Sequence, residues 1–266
     1  MQLIEVPAKT GYVWFRQGIW LFRKNPLAFV TIFFTYLLAM WVVSLAPIIG
    51  TVLPLVFIPG VAVGFMAACR DTVAGKPVFP TILIDGFRSY GGAAARRLIE
   101  LGGLYVVAMA LVFASSALAD GGTLFRLMMI GTGVTPNALA DSTVPLAALV
   151  ALGCYVPVAM VFWFAPVLTV WHDVPPLKAM FFSLVSCWRN RGAFIVYAGL
   201  WFGTASFMSF GLAILMDALG ARPYVLIVLF PATITLTTML YCSFYATYRG
   251  CFGVQERNGN GERTNP

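Results

Sequence analysis

Charge is what this sequence has least of. Of its 266 residues only 10% are Asp, Glu, Lys or Arg, while 60% are hydrophobic and mean hydropathy is +0.87. Soluble domains carry roughly a quarter of their residues charged, so water is excluded as the solvent for most of this chain and lipid takes its place. Histidine is nearly absent too: His172 stands alone, which leaves little scope for an imidazole metal site or acid–base pair. The sequence has no HExxH, Walker P-loop or GxSxG signature and no pair of intramembrane aspartates. The chain is therefore expected not to be an enzyme, and no catalytic residue, metal site or cofactor is expected. Cys69, Cys154, Cys187, Cys242 and Cys251 are odd in number, without metal-like spacing, and mostly near the boundary read below as cytoplasmic. No disulfide framework follows from them.

What the chain has in abundance is long apolar runs. Six are long enough to cross a hydrocarbon core, which takes about 20 helical residues: 27–46, 47–69, 98–118, 144–171, 192–216 and 223–247. The fold class predicted is all-α, a polytopic membrane bundle of six transmembrane helices forming a single domain over 27–247. The first two runs are nearly continuous, and Pro47 with Gly50 supplies the breaker for a tight hairpin. Residues 1–26 mix Lys9, Arg16, Arg23 and Lys24 with aromatics and have no signal-peptide core. They read as an N-terminal cytoplasmic interfacial helix, and 248–266 as a disordered cytoplasmic tail.

Lys and Arg near span ends resist translocation, so their distribution sets orientation. Fifteen of the 17 fall in segments that share one side, leaving Arg126 and Arg222 on the other. Both termini are thus expected in the cytoplasm of a bacterial inner membrane, which requires an even number of spans and agrees with six. The formal charge of +7 is spread over span ends rather than gathered on one polar face, so membrane lipids, not nucleic acid, are the expected partners. A protein partner or homo-oligomer is the other expectation.

Proline alternates along the spans. It lies inside the second (Pro54, Pro59), fourth (Pro157, Pro166) and sixth (Pro231), and not inside the others. A segment with aromatic and basic residues precedes each straight span: WLFRKNPLAF from Trp20, IDGFRSY from Ile84, SCWRNRGAF from Ser186. The pattern predicts three copies of an interfacial helix followed by a transmembrane hairpin. In the first interfacial helix Lys9, Arg16 and Arg23 share one face, and Trp14, Phe15, Leu21 and Phe22 the other. In the third, Leu177, Met180, Phe181, Leu184 and Trp188 form the apolar stripe. Trp14, Arg16, Trp20, Arg23, Trp188 and Arg189 are the expected interfacial anchors, a role that sets tilt without requiring lipid sensing.

Small residues predict where helices approach. Gly60, Gly64 and Ala68 lie on one face of the second span, and Gly199 with Gly203 repeats the spacing in the fifth. Contacts within the chain are favoured over a dimer face for both. Ionisable residues at the spans are functional candidates by default, and three qualify. Glu100 follows Arg96 by four residues, so a salt bridge at a helix start is the plainer account. Asp217 precedes Arg222 across a turn, as in a hairpin-tip ion pair. His172, with Asp173 beside it, reads as a boundary histidine rather than a catalytic one. Thr233, Thr235, Thr237 and Thr238 follow Pro231, where they satisfy backbone carbonyls more readily than they line a solute path. Thr123–Ile130 (TLFRLMMI), in the loop from Asp120 to Thr143, reads as an interfacial helix, with a lid as the functional alternative.

The start, MQLIEVPAKTGYVWFRQGIWLFRKNPLAF, with the spacing of the later segments, resembles a family of uncharacterised bacterial six-span inner-membrane proteins. The resemblance covers nearly the whole chain. More distantly, the interfacial-helix-plus-hairpin plan is similar to the membrane domain of bacterial glycerophosphodiester phosphodiesterases. This chain has no room for their soluble catalytic domain, so their activity is not expected here. The resemblance implies inner-membrane placement and leaves function open. A non-enzymatic assembly, regulatory or envelope-maintenance role is expected, the alternative being a small carrier or lipid-translocating protein.

Overall fold

The computed structural model describes residues 3–46, 50, 52–129 and 143–253. These are helices and connecting turns, with no strand among them. Helix α1 (Thr10–Lys24) is followed by α2 (Pro26–Ser44) and α3 (Leu53–Val73). A 3-10 turn (Pro80–Ile84) and short α4 (Asp85–Arg88) lead into α5 (Gly91–Asp120) and α6 (Thr123–Met129). Then come α7 (Thr143–Phe162), α8 (Ala165–Trp171), α9 (Pro176–Arg189), α10 (Arg191–Ala218), a 3-10 turn (Arg222–Tyr224) and α11 (Val225–Phe252). Six of the described stretches are long and apolar enough to cross a membrane, matching the six predicted runs. A short helix precedes the first, third and fifth spans, but the one before the third is only the four-residue α4, and α6 intervenes between the third and fourth spans.

Span ends differ from prediction where helix continues past the apolar run. The sixth spanning helix, α11, holds 28 residues, about 42 Å at 1.5 Å per residue, longer than a hydrocarbon core of about 30 Å. Its last turns, which the sequence reading assigned to a disordered tail from 248, are helical, with Tyr248, Cys251 and Phe252 buried. Residues from 254 onward, and Pro47 of the expected breaker, lie outside the described residues.

The chain divides into two compact units, Met1–Phe33 with Phe65–Pro80 and Ser186–Pro266, and Phe34–Gly64 with Thr81–Val185. In the first unit α1 is not a surface anchor: it packs against α10 and α11. Its buried face is Gly11, Trp14, Gly18, Leu21 and Phe22, at the spacing of one helical stripe. Gly11 lies against the backbone of Ala193 and 2.8 Å, measured from an added Cβ, from the amide of Tyr197; Gly18 lies against Ser243. The Trp14 ring sits 5.2 Å from Phe194 and 6.2 Å from Tyr197, and Gly250 leaves room for its indole. Trp14 is 1% exposed, which corrects its reading as an interfacial anchor. Trp14, Leu21 and Phe22 belong to the apolar face read from sequence, but that face is turned to protein rather than to lipid. Elsewhere in this unit Phe33, Phe65 and Tyr241 form an aromatic cluster with centroids 4.9–6.2 Å apart.

In the second unit two glycines of α3 admit close neighbours. Gly60 faces the Phe87 ring and Gly64 the backbone of Ile82 and Leu83, so both admit the segment leading into α5. Gly102 of α5 receives the Val56 backbone. Ala68, in the first unit, is fully buried. The fourth span breaks between α7 and α8, just before Pro166, whose ring nitrogen cannot donate. There the Ser183 hydroxyl of α9 accepts from the Phe164 amide (2.9 Å) and donates to the Met160 carbonyl (2.7 Å). It bridges two groups that an unbroken helix would have paired directly. Ser183→Ala would leave both without that partner in a buried setting, so a loss of about 1–3 kcal/mol is expected, measured as a lowered melting point in detergent.

Candidate functional site

Four cations of the first unit stand beside aromatic rings, three of them exposed and Arg249 half-buried. Lys24 Nζ stands 4.2 Å from the centroid of Trp20, and Arg191, Arg16 and Arg249 lie 5.5, 5.8 and 6.0 Å from Trp188, Tyr12 and Tyr245. These distances lie within the cation–π range of about 6 Å. Trp20 and Trp188 are 52% and 61% exposed, and Arg16 and Arg23 are exposed as well. Of the predicted anchors, Arg189 differs in using its guanidinium on Glu5, 2.6 Å away. That pair belongs to a clamp on the N-terminal segment centred on Asn190, which is 1% exposed. Asn190 Oδ1 accepts from the Val6 amide (2.8 Å), and Nδ2 donates to the carbonyls of Ile4 (3.1 Å) and Ser186 (3.0 Å). The Ile4 amide donates to the Cys251 carbonyl at 2.8 Å.

Nothing in the sequence singled out Asn190, although Asn25 stands at the same place in the first copy. Both precede a span, and both accept at the main chain from a Phe four residues on, Phe29 at 3.2 Å and Phe194 at 3.1 Å. Asn25 spends its side-chain oxygen on the nearby Ala28 amide at 3.4 Å. Which asparagine holds a distant segment is settled by what tertiary packing brings to it.

Gly199 and Gly203 are corrected as packing residues: an added Cβ at either would meet nothing within 4 Å. They share the outer face of α10 with Phe202 and Phe210, both exposed, and no described residue of the chain approaches them there. Asp217 pairs with Arg222 at 3.9 Å, as the hairpin-tip account expects. Thr235 and Thr238 donate to the carbonyls of Pro231 (2.9 Å) and Ile234 (2.7 Å), so these hydroxyls serve their own helix.

In the second unit Glu100 accepts from Arg96 at 3.2 Å, the expected helix-start pair. His172 caps α8, its amide 3.2 Å from the Leu168 carbonyl, and desolvation of the ring holds its pKa below the ordinary value. The carboxylate of the neighbouring Asp173 binds Arg97 of α5. The backbone of Asp173 has φ of 55°, a left-handed conformation uncommon outside Gly, Asn and Asp. The Trp171 indole donates to the Tyr90 hydroxyl at 3.0 Å. Beside these pairs lies a groove of about 830 Å³ lined by Glu100, Gly103, Leu104, Val107 and the segment 175–178.

Buried polar side chains among the described residues are all uncharged Ser, Thr or Asn. Among those residues no three His, Cys, Asp or Glu side chains come together as metal ligands would. The Cys187 thiol in α9 is buried, and burial pushes its pKa up, away from the reactive thiolate.

A protein of Burkholderia thailandensis described as a probable inner membrane protein is 70% identical to this chain over 259 residues, 96% of each. No family model matches the chain, and no solved structure does. At that identity and coverage, with six helices fit to cross a bilayer, the chain belongs to the family of that probable inner membrane protein and is itself a multi-pass inner-membrane protein.

Proposed function

We propose that this protein is a non-enzymatic component of envelope assembly, regulation or maintenance that works by engaging phospholipid headgroups, with both termini cytoplasmic. The observation that carries the proposal is the set of exposed cation–aromatic pairs on the first unit, Lys24 with Trp20 and Arg191 with Trp188 above all. Aromatic rings of this kind favour the headgroup layer, and each nearby Lys or Arg adds about 1 kcal/mol of attraction to an anionic leaflet. Such exposed pairs hold their helix ends at the lipid surface while leaving them open to lipid composition.

Orientation is tested first. Reporter fusions after Gly253 are expected to show cytoplasmic activity, and fusions in the α10–α11 turn near Leu219 periplasmic activity. The reverse pattern would sink the orientation. Function is tested by native mass spectrometry of protein extracted with its own lipids, where retained anionic phospholipid is expected. Protein that carries no lipid but a stoichiometric partner or a second copy would overturn the headgroup reading in favour of assembly through protein contact. A carrier or lipid-translocating role is the second reading, favoured by the apolar groove of the second unit.

A further inference from the structure

The groove beside α5 differs from the headgroup-facing surface of the first unit in being shaped for a chain rather than a charge. One wall is the first part of the third span, Gly103, Leu104 and Val107, with Glu100 one turn before them. The other is the start of α9, Pro175, Pro176, Leu177 and Lys178. Gly103 makes the recess, since an added Cβ there would meet nothing within 4 Å. The two prolines have no N–H to offer, so that wall is apolar along its main chain as well as its side chains. Its volume of about 830 Å³ falls within the roughly 300–1,000 Å³ of sites for small ligands.

Charge at the rim selects the occupant. Arg96 is tied to Glu100 and Arg97 to Asp173, so those cations are neutralised. Lys178 has no ion pair or hydrogen bond among the described residues. An apolar recess in a membrane span with one uncommitted ammonium at its rim matches a long acyl chain joined to an anion. Lysine binds phosphate as a compact point charge, and the phosphate of a membrane lipid lies at the depth of span ends.

We propose that the groove over Gly103 is a specific glycerophospholipid site, taking one acyl chain against Leu104, Val107 and Leu177 with the lipid phosphate on Lys178. The inference rests on the lipid-engaging reading above, and adds a defined site in the other unit. The test uses the full-length protein in nanodiscs that carry phosphatidylglycerol with a photoactivatable acyl chain, or the matching diacylglycerol, which has no phosphate. Labelled peptides are located by mass spectrometry, and each variant's melting point is recorded.

Phosphatidylglycerol is expected to label 103–107 and Leu177 above the other spans, and diacylglycerol to label them weakly. Gly103→Leu, filling the recess, and Lys178→Gln, removing the cation, are each expected to lower that labelling about tenfold, equivalent to about 1.4 kcal/mol of binding. Gly103→Ala, which leaves the groove open, keeps it. Even labelling over all spans, labelling unchanged in folded Gly103→Leu and Lys178→Gln, or equal labelling by diacylglycerol would each overturn the site. Its failure is distinct from failure of the broader reading: native lipid retention lost while this labelling persists removes only the headgroup role of the first unit, and the converse removes only the groove.

Discussion

Gly11→Ala and Gly18→Ala are expected to lower stability by about 1–3 kcal/mol each, while Gly199→Ala and Gly203→Ala leave it unchanged or slightly higher. All four are helical glycines, and helix propensity alone favours Ala by about 1 kcal/mol. Surroundings reverse the sign. A Cβ at Gly11 runs into the Ala193 backbone and one at Gly18 into Ser243. Main-chain atoms cannot rotate away as a flexible side chain can, so α1 must lift from α10 and α11. Lifting it uncovers Trp14, Leu21 and Phe22, at about 1.5–3 kcal/mol for each large side chain wholly exposed. At Gly199 and Gly203 the added methyl meets nothing within 4 Å. Melting of the four variants in one detergent decides the matter. Equal effects would mean that α1 is not seated on its glycines, and a large loss at Gly199 or Gly203 would mean that a partner covers that face.

Asn190→Ala is expected to cost about 2–4 kcal/mol and to free the N-terminal segment. The substitution takes away the acceptor of the Val6 amide and a donor to the carbonyls of Ile4 and Ser186 in one step. Leaving a buried polar group without its partner costs about 1–3 kcal/mol, and two of these groups belong to residues 4–6. The Ile4–Cys251 main-chain bond and the Glu5–Arg189 pair remain, the latter exposed and worth about 0–1 kcal/mol. Limited proteolysis should then cut before Thr10 under conditions that spare the parent protein, with helix content preserved. Resistance equal to the parent would show that the two remaining contacts suffice. Asn190→Asp keeps the acceptor for Val6 but loses both amide donors, so an intermediate effect is expected.

The two asparagines show how far sequence reading reaches. FRKNPLAF and CWRNRGAF were recognisable as copies of one entry segment, because an amphipathic stretch, a polar break and an apolar run are local features. That Asn190 clamps residues 4–6 was not legible, since the two partners are separated by more than 180 residues of chain. The same holds on α9. Of its predicted apolar stripe, Leu177, Phe181 and Trp188 are exposed, and Met180 and Leu184 half-buried. The buried face is Ala179, Ser183, Ser186 and Cys187, small and mostly polar. In a membrane protein the most hydrophobic stripe is drawn to lipid, leaving small and hydrogen-bonding residues for helix contacts, which inverts the habit learned from soluble helices.

Span number, the pairing of Arg96 with Glu100 and of Asp217 with Arg222, and the self-satisfied threonines after Pro231 were set by residues within a few positions of one another. Length, hydropathy and short-range charge act along the chain, so the sequence by itself determined them. Tertiary structure decided which glycines accept a neighbour, which tryptophan is interior, and where an apolar recess opens beside an uncommitted lysine. Each depends on what arrives from a distant segment at a few ångströms, and a one-dimensional pattern carries the capacity for such a contact without specifying its partner.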